Sequence, residues 1–239
     1  MITRSAFLPA YLPTGRQGKA VHQANLPVMI EKEMKMKNGL IRILAILMLG
    51  ALWVVHSGCA SSPPSRFYLL SSLETPRPEM KPSADEQCFS IGIGPVKIPE
   101  YLNQPKIVTR GGANQLKLAE FDRWSEGLSG NMTRVLAENL SALLCTKAIA
   151  IFPWRGGIPL DYRIELDVQR FDGTLGGDVS LEAWWMILSG DGKTLLQSKR
   201  TSVSESAGGG DYESLVRAHS RTLEKLSREV AEAIKALPK

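Results

Sequence analysis

The segment that most constrains this chain runs from Lys35 to Pro64. Lys35, Lys37 and Arg42 precede thirteen uncharged residues, Ile43 to Val55, after which come Ser57, Gly58, Cys59, Ala60, Ser61, Ser62, Pro63 and Pro64. A basic stretch, an apolar stretch and small residues, in that order, are the parts of an export signal. As a helix the apolar stretch rises about 20 Å, short of the roughly 30 Å hydrocarbon core of a bilayer. It therefore reads as a leader and not as a membrane span. The prolines that follow stop any helix from continuing.

The same order resembles the lipobox of bacterial lipoproteins, in which the cysteine thiol is diacylated and cleavage makes that cysteine the N-terminus. The resemblance implies Cys59 as the lipid-attachment residue. His56 stands three residues before it, where the lipobox usually has Leu. A free cysteine buried in an apolar helix is the competing reading, and it leaves the order of the flanks unexplained. The chain then divides into an upstream extension without clear period (1–33), a leader opened by Met34 or Met36 (34–58), a lipidated tether (59–66) and a periplasmic domain (67–239). Leu73 to Gln87, with Pro76, Pro78 and Pro82 among charged residues, reads as an irregular connector.

Removal of the leader changes what the charge means. The full chain carries 29 Lys+Arg against 24 Asp+Glu, but residues 1–58 hold seven of the bases and only two of the acids. The remaining 22 of each sign make a neutral chain. It lacks the basic footprint of a nucleic-acid-binding protein, and no nucleic-acid partner is expected. Beyond Cys59 only Cys88 and Cys145 remain. Outside the cytoplasm disulfides persist, so this pair is a candidate bridge. Two buried free thiols are the alternative, and spacing alone does not decide between them.

Patterning in the mature part predicts an α+β domain, mainly an antiparallel sheet with two long amphipathic helices packed on one face. Phe67 to Leu70 is a short strand. Phe89–Ile98, Pro105–Arg110 and Asn114–Phe121 read as strands of a meander around the Gly111-Gly112 turn. Ser125 can cap a helix with Leu128, Met132, Val135, Leu136, Leu140, Leu143 and Leu144 on its buried face. Ala148–Phe152 reads as a buried strand, and Asp161–Arg170 alternates as a half-buried one. Val179–Leu188 and Lys193–Val203 form a hairpin about Asp191-Gly192. Asp211 caps a last helix whose stripe runs Tyr212, Leu215, Val216, His219, Leu223, Leu226, Val230, Ile234 and Leu237, with Pro238 as its stop.

No catalytic constellation emerges from this pattern. His219 is the one histidine after the leader and lies on an apolar stripe, the setting of a hydrogen-bonded core or interface histidine. No G-x-S-x-G elbow, metal-type Cys/His cluster or phosphate loop is present, so no catalytic residue, metal or cofactor is expected.

The segments FYLL after the cysteine, IGIGPVKIPEYLNQPKIVTR, FDRWSEGLSGNMTRVLAENLSALL, DYRIELDVQRFDGTLGG and DYESLVRAHSRTLEKLSREVAEAI occur in an order that resembles the auxiliary lipoproteins of ABC-type transport systems, the paraquat-inducible protein C family. The resemblance implies a domain anchored by lipid to the periplasmic face of the outer membrane. It further implies an MCE-domain protein as partner in intermembrane lipid transport, assembly as a homo-oligomeric ring, and support of envelope integrity. A lipoprotein hydrolase and a structural envelope lipoprotein without a transport partner are the alternatives. A surface serine or carboxylate pair beside His219 would mark the first.

One stretch points to a partner surface. In Leu181 to Leu188, LEAWWMIL, strand neighbours face opposite ways, so Trp184 and Trp185 cannot enter the same core. Val179, Leu181, Ala183, Trp185 and Ile187 form the cleaner apolar row and are assigned to the helix-covered face. Trp184, Met186 and Leu188 then lie on the other face, as a partner or oligomer interface or under the loop Asp172 to Asp178.

Overall fold

The computed structural model describes residues 26–56, 62–73, 88–154 and 158–237. Cys59, most of the connector at 74–87 and Pro238 lie outside them. Helix α1 spans Leu26–His56, starting ahead of Met34, and belongs to a unit, Met1–Ser62, separate from Pro63–Lys239. Ile43, Leu44, Ile46 and Leu47 are all exposed. Among the described residues no helix is long and apolar enough to cross a membrane.

The second unit is α+β. Its strands are β1 (Arg66–Tyr68), β2 (Phe89–Lys97), β3 (Lys106–Gly112), β4 (Gln115–Trp124), β5 (Thr146–Ile151), β6 (Tyr162–Gly173), β7 (Asp178–Ser189) and β8 (Leu195–Ser206). Helices α2 (Leu128–Leu143) and α3 (Tyr212–Ala236) complete it. The described strands form one mixed sheet of eight. Its long ladders, β6 with β7, β7 with β8 and β3 with β4, are antiparallel. Shorter parallel ladders join β1 to β4 and β2 to both β5 and β6, and β3 touches β6 at Thr109 and Gly173. β1 therefore lies at one end of the path β1-β4-β3-β6-β7-β8, and β8 at the other.

Three local expectations are corrected. The meander does not form, because β2 is inserted between β5 and β6 and does not lie beside β3. β2 suits an inner place: Ile91 and Ile93 fill the helix-side core, while Gly92 admits Trp154 and Leu160 on the other face. A Cβ at Gly92 would come within 2.7 Å of Leu160 and 2.8 Å of Trp154. Ser125 is not the cap of α2, whose N-cap is Gly127. Its backbone N–H instead donates to the Tyr68 carbonyl at 2.9 Å, extending the β1–β4 join. The segment Ala148–Phe152 is not a buried strand. β5 pairs with β2 alone, and its end leaves Ile151 and Phe152 about half exposed.

α2 and α3 pack on one face of the sheet. Leu128, Met132, Val135, Leu136 and Leu140 of α2 meet Leu215, Leu223, Leu226, Val230 and Ile234 of α3 in one core with Ile164, Leu166 and the inward row of β7. Asp211 caps α3 by accepting the Ser214 backbone N–H at 2.7 Å, satisfying one of the unpaired donors of the first turn. After β1 the chain crosses both helices. The backbone N–H groups of Leu70, Ser71 and Leu73 donate to Asn131 Oδ1 (2.8 Å), Ser220 Oγ (3.0 Å) and Asn139 Oδ1 (2.8 Å). Asn139 Nδ2 also donates to Ser227 Oγ at 3.0 Å, so one buried amide joins strap, α2 and α3.

Candidate partner surface

Strand alternation places consecutive side chains of β7 on opposite faces. Val179, Leu181, Ala183, Trp185 and Ile187 are each fully buried under the helices. The buried indole N–H of Trp185 is satisfied: it donates to Thr201 Oγ1 at 2.9 Å, and Thr201 donates to Glu229 Oε2 of α3 at 2.7 Å. Lys199 pairs with Glu229 at the edge of this chain of bonds. That network fixes the strand's parity from the inside.

Trp184 is on the other face and 46 % exposed, not covered by any loop among the described residues. Its ladder partners are Asp167 of β6 and Arg200 of β8, and Arg200 is held at 2.9 Å by Glu182. Met186 lies between Glu165 and Ser198, and Leu188 between Arg163 and Leu195. Both are partly buried. Arg163 continues the surface sideways, with its guanidinium 5.6 Å from the centre of the Trp154 ring that packs on Gly92. Exposed Leu195 and half-exposed Phe152, edge-on to Trp154 at 5.6 Å, extend it further. The outward face of β6–β8 thus offers an aromatic and aliphatic ledge rimmed by charge, the composition of an interface centre and rim. Arg163 and Trp154 belong to it without having been legible, because their contact needs the β2–β6 pairing.

The remaining candidate residues lie elsewhere. Cys88 and Cys145 form a disulfide with Cα atoms 4.4 Å apart. It joins the start of β2 to the turn between α2 and β5, next to the bond from Phe89 N to Cys145 O at 2.9 Å. His219 is enclosed, 1 % exposed, with Nδ1 2.9 Å from the Leu215 carbonyl and the rings of Phe171 and Trp124 edge-on to it. Burial pushes its imidazole down to about 4 against the opposing pull of the Leu215 and Phe171 backbone. This is the setting of a core histidine packed among rings. Among the described residues no group of three His, Cys, Asp or Glu side chains is gathered as a metal-ligand set.

Two buried carboxylates, Asp122 and Asp172, brace the sheet. Asp122 receives Arg66 through Nε at 2.7 Å and Nη2 at 2.9 Å, and the Tyr68 hydroxyl at 2.8 Å. Asp172 receives Arg110 at 2.8 and 3.0 Å, Arg170 at 2.9 Å and the Tyr101 hydroxyl at 2.8 Å. Burial alone would raise the Asp172 carboxyl, but the bonds from Arg110, Arg170 and Tyr101 outweigh it and hold the group below its ordinary value.

A family model described as ABC-type transport auxiliary lipoprotein component matches residues 68–231. The chain belongs to this family. The match opens at Tyr68 in β1 and closes at Ala231 in α3, so it takes in the ledge, the disulfide and the Asp172 cluster. The fold is shared with two solved structures. One, an uncharacterized protein, is 17 % identical with a TM-score of 0.57, covering 72 % of this chain and 99 % of its own. The other, a Xanthomonas campestris protein of family DUF330, is 14 % identical with a TM-score of 0.57, covering 70 % of this chain and 93 % of its own. No curated protein matches the chain. As an auxiliary transport lipoprotein, the chain falls in a family that is not a known enzyme class.

Proposed function

We propose that this lipoprotein is anchored through a diacylated, palmitate-bearing Cys59 to the periplasmic face of the outer membrane. There it serves as the auxiliary subunit of an ABC/MCE-type system that moves lipid between the two membranes and supports envelope integrity. The observation that carries the reading is the family match over nearly all of the domain, preceded in the chain by a leader and a cysteine in lipobox order. The absence of Asp after Cys59, where Ala60 stands, favours outer-membrane over inner-membrane retention by analogy with the lipoprotein sorting rule.

In this reading Trp184, Met186 and Leu188 contact either a neighbouring subunit of a homo-oligomeric ring or the MCE-domain protein. The exposure of Trp184, in a row that the core does not need, supports the assignment. The test is affinity purification of the full-length, processed lipoprotein from detergent-solubilised envelopes. Recovery of an MCE-domain protein is the expected result. Its absence under conditions that preserve the lipoprotein's own assembly would favour a structural envelope role.

A further inference from the structure

We infer that the outward side of β1 is a second membrane contact, a rigid aromatic and basic ledge that lies on a bilayer surface carrying anionic headgroups. The inference rests on the reading of Cys59 as the lipidated N-terminus. Among the described residues of the folded domain Phe67 is the most exposed large apolar side chain, at 64 %, and Leu69 two residues on is 45 % exposed. Solitary exposed apolar residues need no explanation, but Phe67 differs from a loop residue in being held. Its flank Arg66 is pinned by two bonds to buried Asp122, and Tyr68 is bonded to the same carboxylate. Immediately beyond, the strap from Leu70 to Leu73 is bonded across α2 and α3. The ring is presented on a braced strand.

What faces the same way is basic. Phe67 is in register with Arg123 of β4, and Arg123 with Lys106 of β3, so the three side chains share one face across three strands. Neither Arg123 nor Lys106 has an ion pair among the described residues, and Arg123 Nε is buried without a hydrogen-bond partner. Arg66, by contrast, is neutralised by Asp122. An exposed Phe and Leu beside two uncompensated cations match the chemistry of surfaces that seat apolar side chains at the acyl boundary and cations among phosphates.

Chain length selects the bilayer over a protein as the occupant. Phe67 follows Cys59 by eight positions, a span of at most roughly 28 Å when fully extended. A lipid-anchored Cys59 therefore keeps this ledge within reach of headgroups, while Trp184 lies toward the opposite end of the sheet path. The consequence is orientation. The domain would sit with β1 toward the membrane and β7–β8 away from it, leaving the partner ledge clear.

The mature chain provides its own probe, since Cys59 is acylated and Cys88 and Cys145 are joined, so an introduced cysteine is the single free thiol. Phe67→Cys and, as reference, Ser202→Cys on exposed β8 are labelled with a nitroxide in the full-length processed lipoprotein. The protein is reconstituted in phosphatidylethanolamine–phosphatidylglycerol vesicles and collision with oxygen and with a water-soluble nickel chelate is measured. The expected result is oxygen accessibility exceeding nickel accessibility at 67 and the reverse at 202, with the oxygen preference at 67 falling in vesicles of phosphatidylcholine alone. Equal water exposure at both positions overturns the inference, as does a label at 67 shielded from both reagents, which would mark a protein contact. A preference at 67 that is the same in both lipids overturns the role of Arg123 and Lys106. Intact mass of the same sample separates the two readings. Unmodified Cys59 defeats the anchor itself, whereas acylated Cys59 with a water-exposed residue 67 defeats only the second contact.

Discussion

Trp184 and Trp185 are consecutive in β7 and occupy opposite sides of the sheet, the first 46 % exposed and the second fully buried with its indole N–H bonded to Thr201. Their truncations should therefore fail differently. Trp185→Ala empties a core site and removes a donor from Thr201, and a cost of about 3–5 kcal/mol is expected in chemical denaturation. Trp184→Ala should leave the denaturation midpoint nearly unchanged. If the outward row is an interface centre, a loss of about 2 kcal/mol or more weakens assembly or partner binding roughly thirtyfold. Size-exclusion chromatography and partner pull-down read that loss, and unaltered assembly would remove Trp184 from the interface.

The disulfide between Cys88 and Cys145 closes a segment with a sequence separation of 57. A chain-entropy treatment assigns such a loop about 4 kcal/mol, and measured bridges often deliver less. Cys88→Ser with Cys145→Ser should lower stability by about 2–4 kcal/mol in urea while the fold persists, because the β2–β5 ladder does not depend on the thiols. Alkylation of the unreduced, denatured wild-type protein should find both residues blocked. Modification of both would mean that the bridge is absent from the native protein.

The parts legible in the sequence are those governed by local periodicity. The stripe of α3, its Asp211 cap and the parity of β7 are all set by residues within one turn or one strand of each other. The placement of β2 between β5 and β6 was not legible, since any apolar strand can satisfy its own alternation and the choice of neighbours is made by residues 57 or more positions away (Phe89 to Thr146). The same distance hid the carboxylate clusters, in which Asp172 meets Arg110 across 62 positions and Asp122 meets Arg66 across 56. Ser125 shows the converse error: a good capping residue was drawn away by a backbone acceptor on Tyr68 that only the tertiary fold supplies.

Stability should fall as pH drops from about 6.5 to about 4. Over that window the unfolded chain protonates His219, whose ordinary value is 6.5, while the folded chain resists until about 4. The unfolded state then binds more protons, so the contribution of neutral His219 is complete above the window and is lost through it, an effect on the order of 3 kcal/mol. His219→Phe keeps a ring between Trp124 and Phe171 and removes the titration. Its unfolding free energy, measured by urea at a series of pH values, should be flatter between pH 6.5 and 4 than that of the wild type. An equally steep profile would assign the acid sensitivity to other groups.

The last prediction concerns the division of labour around Asp172. This carboxylate is fully buried and answers two guanidiniums, Arg110 with two bonds and Arg170 with one, and its ionised form is favoured by them despite burial. Asp172→Asn keeps the shape but removes the charge, turning an amide N–H₂ toward at least one cation. Breaking a buried pair from one side typically costs about 3–5 kcal/mol, and because both arginines are partly exposed the lower end is expected here. Arg110→Gln should cost less, since Arg170 and Tyr101 still satisfy the carboxylate. Arg170→Gln should cost least, because Arg170 supplies a single bond to Asp172 and lies only 4.0 Å from its other acid, Glu182. The order Asp172→Asn, Arg110→Gln, Arg170→Gln in urea denaturation at neutral pH is the expected outcome. Arg170→Gln matching Asp172→Asn would show that Arg170, and not Arg110, is the cation that this buried carboxylate requires.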